Sequence, residues 1–423
     1  MTRCADAGTV GLIVLVVAGC MSPAIVPSSP PAASATAIPS ARASVPIEPQ
    51  SSPSAVSNPS PWTVSAVAPM LRARDGFRAL VLGDDTVLVV GDDQACAPGG
   101  ASPGSEMSER YDAVANGWSV AASLNKPRKE FVMVPAANGG AMVIGGVNAD
   151  DVGYSSTKRF DLDAAMWVDG PLLHRAYPDP SAVTVADGRI YVLGPTSSDE
   201  TTSTSTVEIL APGREQWDDG GRIDWVSVRL VVSLDDGRLV SVGSTFESPE
   251  LLHVRDTGGG GVWRPFPSPG FEGVDRLVAI PDGGMLAVGW TYDPATGDTQ
   301  PMSVRRYERS TNAWADAAPI RTQRTGALWT TLRDGRVLVA GGVNGPRNRL
   351  ESQIVGTSEI YDPASDTWSA GPVLLQARAD GEALTLADGS VLLMGGVNVR
   401  NIEGDSPFCP SRLTSVERLT PAP

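Results

Sequence analysis

Three features of this 423-residue sequence predict an all-β protein built as a seven-bladed β-propeller of four-stranded blades. Tryptophans recur roughly fifty residues apart, at Trp62, Trp118, Trp167, Trp217, Trp263, Trp314 and Trp368, leaving Trp225, Trp290 and Trp329 outside the series. Each interval holds two apolar runs joined by a tight acidic or glycine turn, the mark of a β-hairpin. The chain has 45 Gly and 35 Pro but only 19% charged residues, which suits short strands and turns rather than long amphipathic helices.

The chain opens with Arg3, an apolar run from Val10 to Val17, and Val17-Ala18-Gly19-Cys20. This start resembles a bacterial lipobox, and the resemblance implies that residues 1–19 are a cleaved signal peptide and that Cys20 carries a lipid. The apolar run is short for a membrane span. Residues 20–61 follow as a Pro/Ala/Ser-rich tract with almost no large apolar side chains to bury, so a disordered tether is expected. Together these features place the folded part, residues 62–423, outside the cytoplasm at the membrane surface.

Within each unit the first two strands are clearest in Ala327-LWTTLRDGRVLVAGG and Glu382-ALTLADGSVLLMGG. Asp187-Gly188, Asp236-Gly237, Asp282-Gly283, Asp334-Gly335 and Asp388-Gly389 read as two-residue turns in which both positions tolerate positive φ. The second strand ends in glycine each time, at Gly91, Gly145-Gly146, Gly194, Gly243, Gly289, Gly341-Gly342 and Gly395-Gly396. A third strand places Tyr111, Phe160, Leu210, Tyr307 or Tyr361 seven positions before the repeat tryptophan, which starts the fourth. These aromatic residues are expected in the core between blades.

A diglycine followed by a Tyr-x6-Trp spacing, with Ser358-EIYDPASDTWSAGP as a close match to the second half, resembles the kelch repeat over residues 62–423. Four units keep one glycine of the pair, and the Gly258 to Gly261 run predicts a distorted fourth blade. The last unit stops after Ser415-VERL, whereas Trp62-TVSAVAP stands alone as a fourth strand. The N-terminal strand is therefore expected to complete the last blade and remove an open sheet edge.

The kelch-type propeller is shared with galactose oxidase, whose copper-radical chemistry needs two His, two Tyr and a crosslinked Cys. Here the only histidines, His174 and His253, have no matching motif, and no hydrolase or phosphate-binding motif is present. The expectation is a protein with no catalytic residues, no metal and no cofactor. Cys96 and Cys409 fall in corresponding loops of the first and last blades, and a disulfide between them is expected in an exported protein.

The formal net charge of -15 opposes sequence-independent nucleic-acid binding. Long loops leave each blade on the face opposite the Asp-Gly turns, between strands two and three and between consecutive blades, and recognition is expected there. Arg72, Arg74, Arg128, Arg175, Arg222, Arg321, Arg324 and Arg378 recur in the inter-blade loops, with His174 and Tyr177 beside them. They read either as a cationic ring for a carboxylate, an acidic peptide or an anionic sugar, or as residues that cap strand ends or pair with acids such as Asp75, Glu130 and Asp380. The reading that results is a monomeric, lipid-anchored binding module for a protein or a cell-surface glycan. The alternative is a carbohydrate-active propeller enzyme of mutarotase or oxidase type, which convergent Arg and Glu in a pocket would favour.

Overall fold

The computed structural model describes residues 62–91, 105–195, 205–223, 227–244, 251–258, 261–293, 298–299, 302–345, 353–399 and 411–422. The signal segment, the tether, Cys20, Cys96, Cys409 and Trp225 lie outside them.

Seven four-stranded antiparallel sheets form the blades, and one short 3-10 turn, Pro281–Gly283, is the helix present among the described residues. Blade 1 runs through Arg78–Val81, Val87–Val90, Ser108–Asp112 and Gly117–Ala121, here called strands a to d from the axis outward. Blade 3 uses Ser181–Thr184, Ile190–Pro195, Ser205–Leu210 and Asp218–Ile223. Blade 7 takes Glu382–Thr385, Val391–Met394 and Val416–Pro421 from the C-terminus and Trp62–Val67 from the N-terminus, in register from Trp62 opposite Pro421 to Val67 opposite Val416. The a strand of blade 1 lies beside those of blades 2 and 7, so the ring closes as the sequence predicts.

The core consists of seven apolar wedges, one between each pair of neighbouring blades. This explains why the b strands read as unbroken apolar runs. In Val87–Val90, Leu88 and Val90 join the wedge with blade 2, while Val87 and Val89 join the wedge with blade 7. A strand buried on both faces has no solvent side for polar residues to alternate onto.

The tryptophans tie blades together through the indole N–H as well as by area. Trp118 donates to the Ala68 carbonyl at 2.8 Å, Trp217 to Pro171 at 3.0 Å, Trp314 to Pro267 at 2.7 Å and Trp368 to Ala318 at 2.9 Å. Each acceptor lies just past the d strand of the preceding blade. The paired Tyr packs at a tilt against its Trp, with ring centroids 5.0 Å apart for Tyr111 and Trp118 and 5.1 Å for Tyr361 and Trp368.

The a-to-b turns differ from the two-residue form expected. In blade 3 the Gly188 N–H donates to Val185 and the Val185 N–H to Arg189, which encloses three residues, and positive φ falls on Gly188 (84°) and not on Asp187. The same pattern recurs around Gly237, Gly335 and Gly389. This is a type I turn closed by a left-handed residue. Aspartate is favoured for a different reason: its carboxylate accepts the N–H two residues on, at 3.0 Å from Arg189 and 3.1 Å from Arg336. The fourth blade keeps four strands, but its outermost, Arg264–Phe266, is three residues long. Two-residue ribbons such as Val343–Asn344 with Gln353–Ile354 extend the b-to-c loops, a feature the repeat pattern does not show.

Candidate functional site

The loop arginines divide into two groups. Arg74, Arg324 and Arg378 are fully buried and Arg128 is 1% exposed. Each donates to the carbonyl of the glycine seventeen residues later, which ends its own b strand; the separations are 2.9 Å for Arg128, 3.1 Å for Arg324 and 3.0 Å for Arg378. Three of them also meet a buried glutamate on strand c, Arg74 with Glu109 and Arg324 with Glu359 at 2.8 Å, and Arg378 with Glu417 at 2.7 Å. Those glutamates in turn accept backbone N–H groups from the inter-blade loop, as Glu417 does from Leu375 and Gln376.

The backbone of the same residues joins one blade to the next. The second glycine of each diglycine donates across the blade boundary, Gly342 to the Arg378 carbonyl and Gly396 to that of Arg74, both at 2.8 Å. A Cβ on Gly341 would lie 2.1 Å from the Arg378 oxygen, which is why a side chain is excluded there. The four buried arginines therefore act as caps on strand ends, and enclosed guanidiniums present no surface to an arriving ligand. The acidic partners of Arg74, Arg324 and Arg378 are Glu109, Glu359 and Glu417, whereas Asp75 pairs with Arg412 at 2.6 Å.

Arg175, Arg222 and Arg321 are exposed, and Arg321 donates to the Trp368 carbonyl at 3.0 Å. Arg72 is exposed on the same set of loops. Tyr177 is fully buried with its hydroxyl 2.8 Å from Thr206 Oγ1, so it offers no stacking face. His174 and His253 sit in different blades, and among the described residues no cluster of three metal-ligating side chains is present.

A different set of charges does converge. All seven blades contribute the start of strand a to a cavity of about 550 Å³ at the axis, lined by Arg78, Arg229 and Arg276 together with Asp179, Asp275, Asp380 and Glu382. Burial pushes the Glu382 carboxyl above its ordinary pKa, against the opposing pull of Arg78 and Arg276. Asp179 is raised for the same reason, again opposed by Arg78. Arg276 Nε is buried with no hydrogen-bond partner among the described residues. The loop-centred reading of the sequence missed this set. A signal was present, because Arg78 and Glu382 each open an innermost apolar strand, where a closed ring directs its first residues towards the axis.

A family model described as Kelch motif matches residues 331–372, which is most of blade 6. The Kelch-like protein terF of Aspergillus terreus is 30% identical over 26% of this chain and 24% of its own length. An F-box/kelch-repeat protein of Arabidopsis thaliana is 28% identical over 32% of this chain and 37% of its own. The alignments thus span about a quarter to a third of these curated relatives. Among solved structures, a fungal alcohol oxidase of the AA5 family in complex with copper superposes with a TM-score of 0.63 at 17% identity, covering 85% of this chain and 76% of that one. That likeness is one of fold. The chain is accordingly a seven-bladed, all-β propeller that carries a Kelch motif in its sixth blade.

Proposed function

We propose that this propeller is a binding module that takes the acidic sugar of a cell-surface glycan at the mouth of its central channel, displayed outside the cell on a lipid-anchored tether. The observation that carries the reading is the convergence on one cavity of three guanidiniums and four carboxylates, supplied by blades 1, 3, 4, 5 and 7. A guanidinium holds a ligand carboxylate through two parallel N–H donors, and carboxylates beside it accept hydrogen bonds from neighbouring hydroxyls. A hydroxyl-rich sugar acid presents both groups. The unsatisfied Arg276 Nε supports a ligand-facing role for that side chain. The extracytoplasmic setting rests on the Cys20 motif and the Pro/Ala/Ser tract.

The test is calorimetric titration of the full chain with hexuronic acids and with their neutral parent hexoses. Acid-selective binding, weakened at least tenfold by Arg78→Gln and Arg276→Gln, is the expected result. Equal binding of acid and neutral sugar, or no binding of either, overturns the reading.

A second reading, a mutarotase-type enzyme, rests on Glu382. A carboxyl whose pKa burial raises is a better proton donor to a ring oxygen, while a neighbouring ionised carboxylate takes the anomeric hydroxyl proton, which opens the ring. Anomer equilibration followed by NMR decides it: acceleration abolished in Glu382→Gln supports the enzyme, and no acceleration refutes it.

A further inference from the structure

Blade 3 departs from the stitch that blades 1, 6 and 7 share. Its strand c carries Glu208, in the place of Glu109, Glu359 and Glu417, and it accepts the loop N–H of His174 at 2.9 Å as Glu109 accepts that of Leu71 at 2.7 Å. The buried arginine is missing. Tyr177 stands there instead, identified by its backbone: Gly146 donates to its carbonyl at 2.9 Å, as Gly342 does to Arg378 and Gly396 to Arg74.

Glu208 is 3% exposed, and its Oε1 has no hydrogen-bond partner among the described residues, although the Tyr177 hydroxyl lies beside the carboxylate. In blades 1, 6 and 7 the corresponding Oε1 receives a guanidinium N–H at 2.7 to 2.8 Å. Oε2 meets Nδ1 of His174, a side chain 58% exposed, at 2.9 Å. Beside it lies a cavity of about 340 Å³ lined by His174, Arg175, Thr206, Glu208, Asp219 and Arg222. Three sister blades thus show which cation meets a carboxylate at this position, and among the described residues of blade 3 no arginine is paired with Glu208. A buried carboxylate with an unsatisfied oxygen favours whichever donor can reach it.

We infer that the blade 3 cavity is a second ligand site, which takes a guanidinium group against Glu208, the kind of group that the corresponding glutamate meets in blades 1, 6 and 7. The group can belong to a small guanidine or to an arginine side chain on a partner. Asp219, opposite Glu208 in the strand pairing, is the second anion of the lining, and the exposed Arg175 and Arg222 are its cations. The site is separate from the channel mouth, with which it shares no lining residue.

The experiment titrates the full-length protein with agmatine and with the tripeptide Gly-Arg-Gly, using Gly-citrulline-Gly as the neutral isostere. Binding of either cationic probe, at least tenfold tighter than the citrulline peptide, is expected. Agmatine alone assigns a small guanidine, and the tripeptide alone assigns a partner side chain. Glu208→Gln removes the charge, and Tyr177→Arg supplies the repeat's own guanidinium; each is expected to weaken binding at least tenfold. If neither variant folds, the contrast between arginine and citrulline peptides on the wild-type chain still decides. No preference for arginine over citrulline, or binding that survives both substitutions, overturns the inference, the latter by assigning the probe to the channel acids.

Discussion

Replacing Arg378 by leucine tests whether the buried arginines are structural. The change removes a guanidinium that donates to the carbonyls of Gly395 and Ser415, both at 3.0 Å, and to Glu417 at 2.7 Å. Glu417 keeps two backbone N–H donors but loses the Arg378 guanidinium, with a side chain 2% exposed. Breaking a buried pair from one side destabilises by about 3–5 kcal/mol, because the surviving charge stays desolvated. The two carbonyls share a donor and lose it together, so the upper half of that range is expected. Arg378→Leu with Glu417→Leu removes the stranded charge but orphans the N–H groups of Leu375 and Gln376, at about 1–3 kcal/mol each, so recovery is partial. Urea unfolding followed by tryptophan fluorescence measures these differences, with exposed Arg175→Ala as a control expected within about 0.5 kcal/mol of wild type. Folded Arg378→Leu protein should bind channel ligands as wild type does. A loss of stability below about 1 kcal/mol, or an altered ligand affinity, refutes the structural assignment.

Three further outcomes follow from the same geometry. Gly341→Ala places a Cβ 2.1 Å from the Arg378 oxygen at φ 65°, and should destabilise by about 2 kcal/mol or more, whereas Gly213→Ala, at φ 72° with open space around it, should lose about 1 kcal/mol; urea midpoints compare them. Deleting residues 1–67 removes the d strand of blade 7 and leaves Val416–Pro421 as an open edge, so the truncated chain should aggregate or associate, read by size-exclusion chromatography with light scattering. Burial raises the Glu382 pKa, so the folded state holds that proton longer than the unfolded state, and stability falls as pH rises from about 4.3 through the folded value. Glu382→Gln removes that loss; its stability relative to wild type should increase from pH 4 to pH 7, and urea midpoints that do not diverge count against the assignment.

Much of the molecule is readable from one chain because a propeller is repetitive. The tryptophan spacing marks the blades, and the isolated Trp62 strand with the missing last strand marks the closure, since every sheet edge needs a partner. The Arg-to-Gly interval of seventeen residues was also present at Arg74, Arg128, Arg324 and Arg378, but spacing alone does not tell a guanidinium turned into the stitch from one facing a ligand. Burial decides that, and burial is a property of the packed ring. The channel charges lie on strands far apart in sequence, and only the sevenfold arrangement brings Arg78, Arg276 and Glu382 to one axis. Likewise, the exchange of Arg for Tyr177 looks ordinary in the sequence. It becomes informative once the fold sets Glu208 beside the place the arginine would fill, because a buried charge is interpretable only against the partners that three-dimensional packing supplies or withholds.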